Sequence, residues 1–282
     1  MRCLVDLKRI VPIFFLLSIT FSFANAKIEP RIVSLSPPVT EELFLLGMGE
    51  NVIANTIYCQ RPKEAKYKEK VGTVVNVNLE RIIRLRPDFV FVSPLTDKKA
   101  VEKMKRFGIN VWQFPHPRDF EEIRRRFTDL SRIVGKEEAG WKIVTKFENE
   151  YKKLKNTIPE GHIRPKVFVQ LGSNPLFTAN KDSILDSFIS DAGGENIAKN
   201  SPTGFFSLEE LILKDPDYIL IVGMGMRGQK EMERFLKMRQ LRASREKKIF
   251  VLDSQRFCSP TLETYVEGVK ELREIFLERG RP

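Results

Sequence analysis

Apolar positions along this chain follow two spacings. Short, mainly apolar runs of four to six residues, Arg31–Leu35, Phe89–Val92, Lys166–Leu171 and Tyr218–Ile221, each start at or just after a charged residue. Such runs predict strands buried on both faces, as parallel sheets require. The stretches between them place apolar residues three and four apart, the helical spacing. The longest of these, residues 136–158, carries Ala139, Ile143, Val144, Phe147, Tyr151, Leu154 and Ile158 on one stripe, with Lys and Glu elsewhere. Gly135 precedes it and Pro159-Glu160-Gly161 stops it. It predicts a helix of roughly 34 Å at ~1.5 Å per residue, long enough to brace two lobes.

The sequence on either side of this helix reads as two copies. Asn78-Leu79-Glu80, a short helical stretch, Pro87-Asp88 and an apolar strand precede it. Ser207-Leu208-Glu209, a short helical stretch, Pro216-Asp217 and an apolar strand follow it at a constant offset of 129. Each copy has a strand and Gly-Glu-Asn upstream (Gly49-Glu50-Asn51; Gly194-Glu195-Asn196) and a helix and strand downstream. The expected fold is α/β: two similar lobes with parallel sheets flanked by helices, residues 27–135 and 161–282, joined by one long connecting helix over 136–160. Parallel sheets bind ligands in the crevice outside the carboxyl ends of their strands, so the expected ligand cleft lies between the lobes. Further expected elements are a helix from Glu41 to Leu46, a loop from Asn55 to Lys70, a helix from about Lys181 to Ala192, and loops over Gly223–Gly228 and Ser254–Pro260.

Charge and the N-terminus narrow the function classes. Lys8 and Arg9 precede an apolar run from Ile10 to Phe23, and Ala24-Asn25-Ala26 has the small-x-small form of a cleavage site. The run is short for a membrane span, which predicts a signal peptide over 1–26, removed after Ala26; an uncleaved anchor is the alternative. Its loss takes the 48 basic and 37 acidic residues to 45 and 36, a net charge of +9. The basic residues are scattered over helix faces without interleaved aromatics, so no nucleic-acid partner is expected. Two histidines, His116 and His162, supply neither a zinc or manganese cage nor a catalytic cysteine set, so neither a catalytic nor a metal site is expected. No cofactor is expected either. Gly223, Gly225 and Gly228 resemble a phosphate loop but lack an acidic ribose partner.

The sequence resembles the class III periplasmic substrate-binding proteins of ABC importers, which carry cobalamin, ferric siderophores or haem. The carrying motifs are Arg31-Ile32-Val33-Ser34-Leu35-Ser36-Pro37 with Thr40-Glu41, Val71-Gly72-Thr73 leading into Asn78-Leu79-Glu80, and Pro87-Asp88. In the second half they are Asn174-Pro175-Leu176-Phe177-Thr178, Gly193-Gly194-Glu195-Asn196-Ile197 and Ser207-Leu208-Glu209. The resemblance implies a monomeric, exported binding protein that performs no chemistry, takes a metal chelate in the cleft and delivers it to an ABC permease. It implies that Glu80 and Glu209, one per lobe, dock on permease arginines; their positions behind Asn78 and Ser207 also fit plain helix N-termini, where a carboxylate is favoured. It implies cleft contacts from Ser36, Pro37, Tyr58, Asn174, Phe177 and Phe205. Val74 and Thr203 stand where one cobalamin binder of the family carries tryptophans. Cys59, Arg256, Phe257 and Cys258 fall on predicted cleft loops; the two cysteines are expected as separate thiols, a disulfide being the alternative. Arg256 could pair with an anionic chelate. If the cargo is haem, His116 or Tyr58 is the axial candidate. A secreted enzyme or an accessory protein on the same fold is the reading from another class.

Overall fold

A computed structural model describes residues 29–223 and 226–278; the predicted signal peptide lies outside the described residues. The first half contains β1 (Ile32–Ser34), α1 (Pro37–Leu45), β2 (Val52–Asn55), a 3-10 turn (Lys63–Tyr67), β3 (Glu69–Lys70), α2 (Leu79–Arg84), β4 (Phe89–Val92), α3 (Lys98–Arg106), β5 (Asn110–Gln113) and α4 (Phe120–Ile133). Helix α5 (Glu137–Lys155) follows. The second half contains β6 (Lys166–Gln170), the short strands β7 (Gly172–Ser173) and β8 (Leu176–Phe177), α6 (Ile184–Asp191), β9 (Glu195–Asn196), α7 (Leu208–Lys214), β10 (Tyr218–Gly223), α8 (Met226–Leu236), α9 (Arg242–Arg245), β11 (Ile249–Asp253), α10 (Ser254–Cys258) and α11 (Leu262–Glu278).

The strand order is β3-β2-β1-β4-β5 in one sheet and β11-β10-β6-β9 in the other, with every neighbouring pair parallel. Read from the same side, β2-β1-β4-β5 and β9-β6-β10-β11 are the same arrangement, and β3 is an addition to the first. The repeated Pro-Asp has a physical reason. The Asp88 carboxylate accepts the backbone N–H of Arg31, just before β1, and that of Asp217 accepts the N–H of Lys166, the first residue of β6, both at 2.8 Å. Each carboxylate thereby pins the start of its lobe's central strand. The residue before each proline, Arg86 and Asp215, closes its helix in the left-handed region, with φ of 45° and 39°. A proline next cannot continue the helix, so the chain turns into the strand.

Some boundaries differ from the expectation. Pro37 and Pro38 open α1 rather than precede it, because the first turn of a helix needs no proline N–H. The connecting helix ends at Lys155, with Asn156 as its C-cap. Helix α6 starts at Ile184, where Ser183 accepts the N–H of Leu185. The expected loop over Gly223–Gly228 already contains the start of α8, and Met224 and Gly225 lie outside the described residues. The expected loop over Ser254–Pro260 contains α10, capped by Asp253 through the Gln255 N–H at 2.9 Å.

One hydrophobic cluster runs through both halves. It joins Ile32 and Val52 to Val167 and Val169 by way of Phe127 on α4, Phe147 on α5 and Val269 on α11. At its centre the Asp191 carboxylate accepts hydrogen bonds from the Tyr151 and Tyr265 hydroxyls, each at 2.7 Å. Burial and this carboxylate hold both phenols above their ordinary range, so both stay protonated donors. The Phe120 ring stacks on Tyr151 with centroids 4.2 Å apart, carrying the contact back to α4.

Candidate functional site

The carboxyl ends of both sheets open into one cavity of about 970 Å³. The first lobe lines it with Ser36 and Pro37 after β1, Tyr58 and Arg61 after β2, Ser93 to Leu95 after β4, and Phe114 to Pro117 after β5. The second contributes Leu171 to Asn174 after β6, Ile221 to Gly223 of β10, and Ser254, Gln255 and Cys258 of α10. Prolines, Val74, Val75, Leu95 and Phe114 make much of the wall apolar, and Arg227, Lys230 and Glu231 of α8 add charge on one side.

The floor is a polar latch between the lobes. Glu41 pairs with Arg61 at 2.9 Å and accepts from the Thr261 hydroxyl at 3.1 Å, while Arg61 donates to the Gln255 carbonyl at 3.2 Å. Beneath it, buried Arg126 reaches Glu42 at 2.6 Å and the Pro260 carbonyl at 2.7 Å. Burial raises the Glu41 and Glu42 carboxyls above their ordinary value, and Arg61 and Arg126 offset part of that rise. These ties, with α5 and the shared core, brace the two halves against each other. Scattering curves recorded with the cleft empty and filled are expected to overlay nearly; a large fall in radius of gyration on filling contradicts this.

Of the residues named from the sequence, Ser36, Pro37, Tyr58, Val74, His116, Asn174 and Cys258 border the cavity. The others do not. Cys59 is buried behind the wall, within 3.1 Å of the Thr40 hydroxyl and 3.2 Å of the Thr56 hydroxyl. Phe257 is wholly buried against Phe188, with ring centroids 4.9 Å apart. Arg256 pairs with Glu271 and, at 3.5 Å, with Glu267 on α11. One cause explains the last two. A helical turn at 254–258 puts Ser254, Gln255 and Cys258 on the cleft and turns Phe257 and Arg256 away. Phe177 and Phe205 are exposed and meet edge-to-face at 5.4 Å, outside the cavity lining. Cys59 and Cys258 are separate free thiols, the first buried and the second exposed.

Sequence reasoning missed Arg61, Leu95, Phe114, Gln170, Glu231 and Gln255. Leu95 and Phe114 carried a usable signal, since each adjoins a proline just after a strand. Gln170, the one polar residue ending the apolar run of β6, carried another. His116 lies at the mouth of β5, and partial burial with Arg126 nearby lowers its imidazole below the ordinary value. It is therefore neutral at neutral pH and able to ligate. Glu80 and Glu209 are exposed second residues of α2 and α7, behind Asn78 and Ser207, whose side chains each accept a backbone N–H at 3.0 Å. Among the described residues neither carboxylate has an ion-pair partner.

Comparison with known proteins decides what this arrangement belongs to. The family described as periplasmic binding protein matches residues 32–256. The chain belongs to the periplasmic binding protein family. Membership places it among proteins of the periplasm that bind a solute. It is 31% identical to the vitamin B12-binding protein of Photorhabdus laumondii over 226 residues, 79% of this chain and 80% of the relative. It is 28% identical to that of Vibrio parahaemolyticus over 272 residues, 94% of each. Among solved structures, the apo periplasmic heme-binding protein RhuT of Roseiflexus sp. RS-1 superposes with a TM-score of 0.80 at 22% identity, covering 89% of this chain and 98% of that one. The periplasmic vitamin B12-binding protein BtuF of Vibrio cholerae gives 0.76 at 22% identity, covering 90% and 98%. These structures share the two-lobed fold, and the relatives are binding proteins, in accord with a chain that carries a solute and transforms none.

Proposed function

We propose that this periplasmic binding protein is the solute-binding component of an ABC importer and that its cargo is a metal chelate, a corrinoid first and a ferric siderophore next. The observation that carries the reading is the cleft. Its volume of about 970 Å³ stands at the top of the ~300–1,000 Å³ range of small-molecule sites. It is walled by proline, aromatic and aliphatic groups from both lobes, with a few polar groups among them. A large, flat, mainly apolar chelate with polar edges matches such a space. The relatives named for vitamin B12 support the same choice. Ser36, Pro37, Tyr58, Val74, Asn174 and Cys258 are the contact residues we assign from the sequence, and delivery runs through Glu80 and Glu209 to a membrane permease. Export of a monomer through a leader removed after Ala26 completes the reading, and the mass of the native periplasmic form tests it.

Absorbance and metal analysis of protein purified from its native periplasm test the cargo. Cobalt with corrin bands is the expected result, and titration of the emptied protein with cyanocobalamin saturates at one site. Iron without a Soret band points to a siderophore. Failure to bind cyanocobalamin, a ferric hydroxamate and haemin alike overturns the proposal.

Haem is the second reading, favoured by His116 at the cleft with an imidazole held neutral. In that case His116→Ala weakens haemin binding at least about tenfold, ~1.4 kcal/mol. The pH dependence has a definite sign. A lowered imidazole value keeps the ligating form present at and above the ordinary range near ~6.5, and affinity falls only below it. A haemin titration from pH 8 to pH 5 checks this, and a fall beginning above neutrality contradicts it.

A further inference from the structure

The second-lobe wall contains a carboxylate that the reading above does not use. Glu231 on α8 borders the cavity with its side chain 24% exposed. It is held in place: the Gln170 amide, 2% exposed at the end of β6, donates to Glu231 Oε2 at 2.9 Å. Arg234 stands 3.5 Å from the same oxygen. A carboxylate only accepts, so the Gln170 nitrogen must face it and the amide orientation is fixed. The Gln170 carbonyl oxygen is then left sealed from solvent with no donor among the described residues. Two acceptors therefore lie side by side at this wall, one presented to the cleft and one beneath it, uncompensated. Arg227 and Lys230, both exposed, border the same part of the cavity.

We propose that Glu231, positioned by Gln170, is a specificity determinant that admits ligand edges carrying hydrogen-bond donors, above all carboxamides, and rejects edges carrying carboxylates. A carboxamide uses the whole wall, its N–H group donating to Glu231 and its carbonyl accepting from Lys230 or Arg227. A carboxylate can use only the cations, which water screens, and must meet a fixed like charge. A site built around a polar partner discriminates most strongly against the analogue that leaves that partner unpaired. The inference rests on the corrinoid reading and deepens it, since a corrin ring carries carboxamides around its rim.

The test uses two probes with the same ring: dicyanocobinamide, whose side chains end in amides, and dicyanocobyrinic acid, whose side chains end in carboxylates. Affinities are measured by titration for the wild type, Glu231→Gln and Gln170→Met, with thermal unfolding recorded for each. The wild type is expected to prefer the amide probe by about tenfold or more. Glu231→Gln keeps the size and the bond to Gln170 while removing the charge. It is expected to shrink the preference several-fold, chiefly by tightening the carboxylate probe. Gln170→Met frees Glu231 and shrinks the preference by weakening the amide probe. A structural role alone would weaken both probes together and leave their ratio unchanged, and an unchanged ratio in Glu231→Gln overturns the inference. If the wild type binds neither probe but binds haemin, the corrinoid reading fails and this inference falls with it. Binding of both probes with no preference overturns the inference while leaving the corrinoid reading intact.

Discussion

The double variant Glu80→Arg with Glu209→Arg is expected to abolish delivery to the permease while leaving ligand affinity nearly unchanged. Both side chains are exposed at the second position of their helices, outside the cavity lining, and neither has an ion-pair partner among the described residues. The cost to folding is therefore only the lost helix-dipole interaction, about 0.3–1 kcal/mol per site. Asn78 and Ser207 still cap the two helices. If the proposed docking holds, it loses far more, because two attractive pairs would become like-charge contacts that cost several kcal/mol. Two anchors also fix orientation, so single reversals give intermediate loss, and raised salt weakens wild-type docking. Ligand titration beside complex formation with the cognate permease reads both halves of the expectation. Normal docking by the double variant would reduce both carboxylates to helix-terminal residues.

The second large effect lies under the cleft floor. Replacing Arg126 by Met leaves the wholly buried Glu42 carboxylate without its partner and the Pro260 carbonyl without its donor. Breaking a buried pair on one side costs about 3–5 kcal/mol. In a protein of this size that corresponds to a fall in melting temperature of roughly 6–20 °C. Glu42→Met combined with Arg126→Met is expected to recover most of the loss, because no charge remains buried and Met fills irregular space. Thermal unfolding of the two single variants and the double variant completes the cycle. An Arg126→Met protein as stable as wild type would show that Glu42 finds another partner or is protonated without cost.

The lobes were legible in the sequence because their signal is local. Pro87-Asp88 and Pro216-Asp217 each sit between a helix and a wholly apolar strand, and the same carboxylate bond to the neighbouring strand preserves the pattern in both copies. The cleft loops were legible for a related reason, since a parallel sheet leaves its loops at one end. Side-chain direction was not. Whether Phe257 or Cys258 faces the ligand depends on one helical turn, set by the Asp253 cap and the packing of Phe188. Cys59 was assigned to the cleft from its loop, yet two threonine hydroxyls and the end of β1 enclose it. The latch was out of reach for a different reason. Glu41, Arg61, Gln255 and Thr261 come from the two ends of the chain, and each reads alone as an ordinary polar residue.

The Asp191 junction bears on how the protein comes apart. Three helices meet at this carboxylate, α5 through Tyr151, α6 through Asp191 itself and α11 through Tyr265, and the apolar cluster around it belongs to neither half. The halves repeat one topology and each keeps a smaller buried cluster of its own, but the cluster between them is shared. A chain severed at Gly161 would expose, on each fragment, the faces that α4, α5 and α11 now cover. Unfolding of the two halves is therefore expected to be coupled, and a chain lacking α11 is expected to gain little of the stability of the shared cluster.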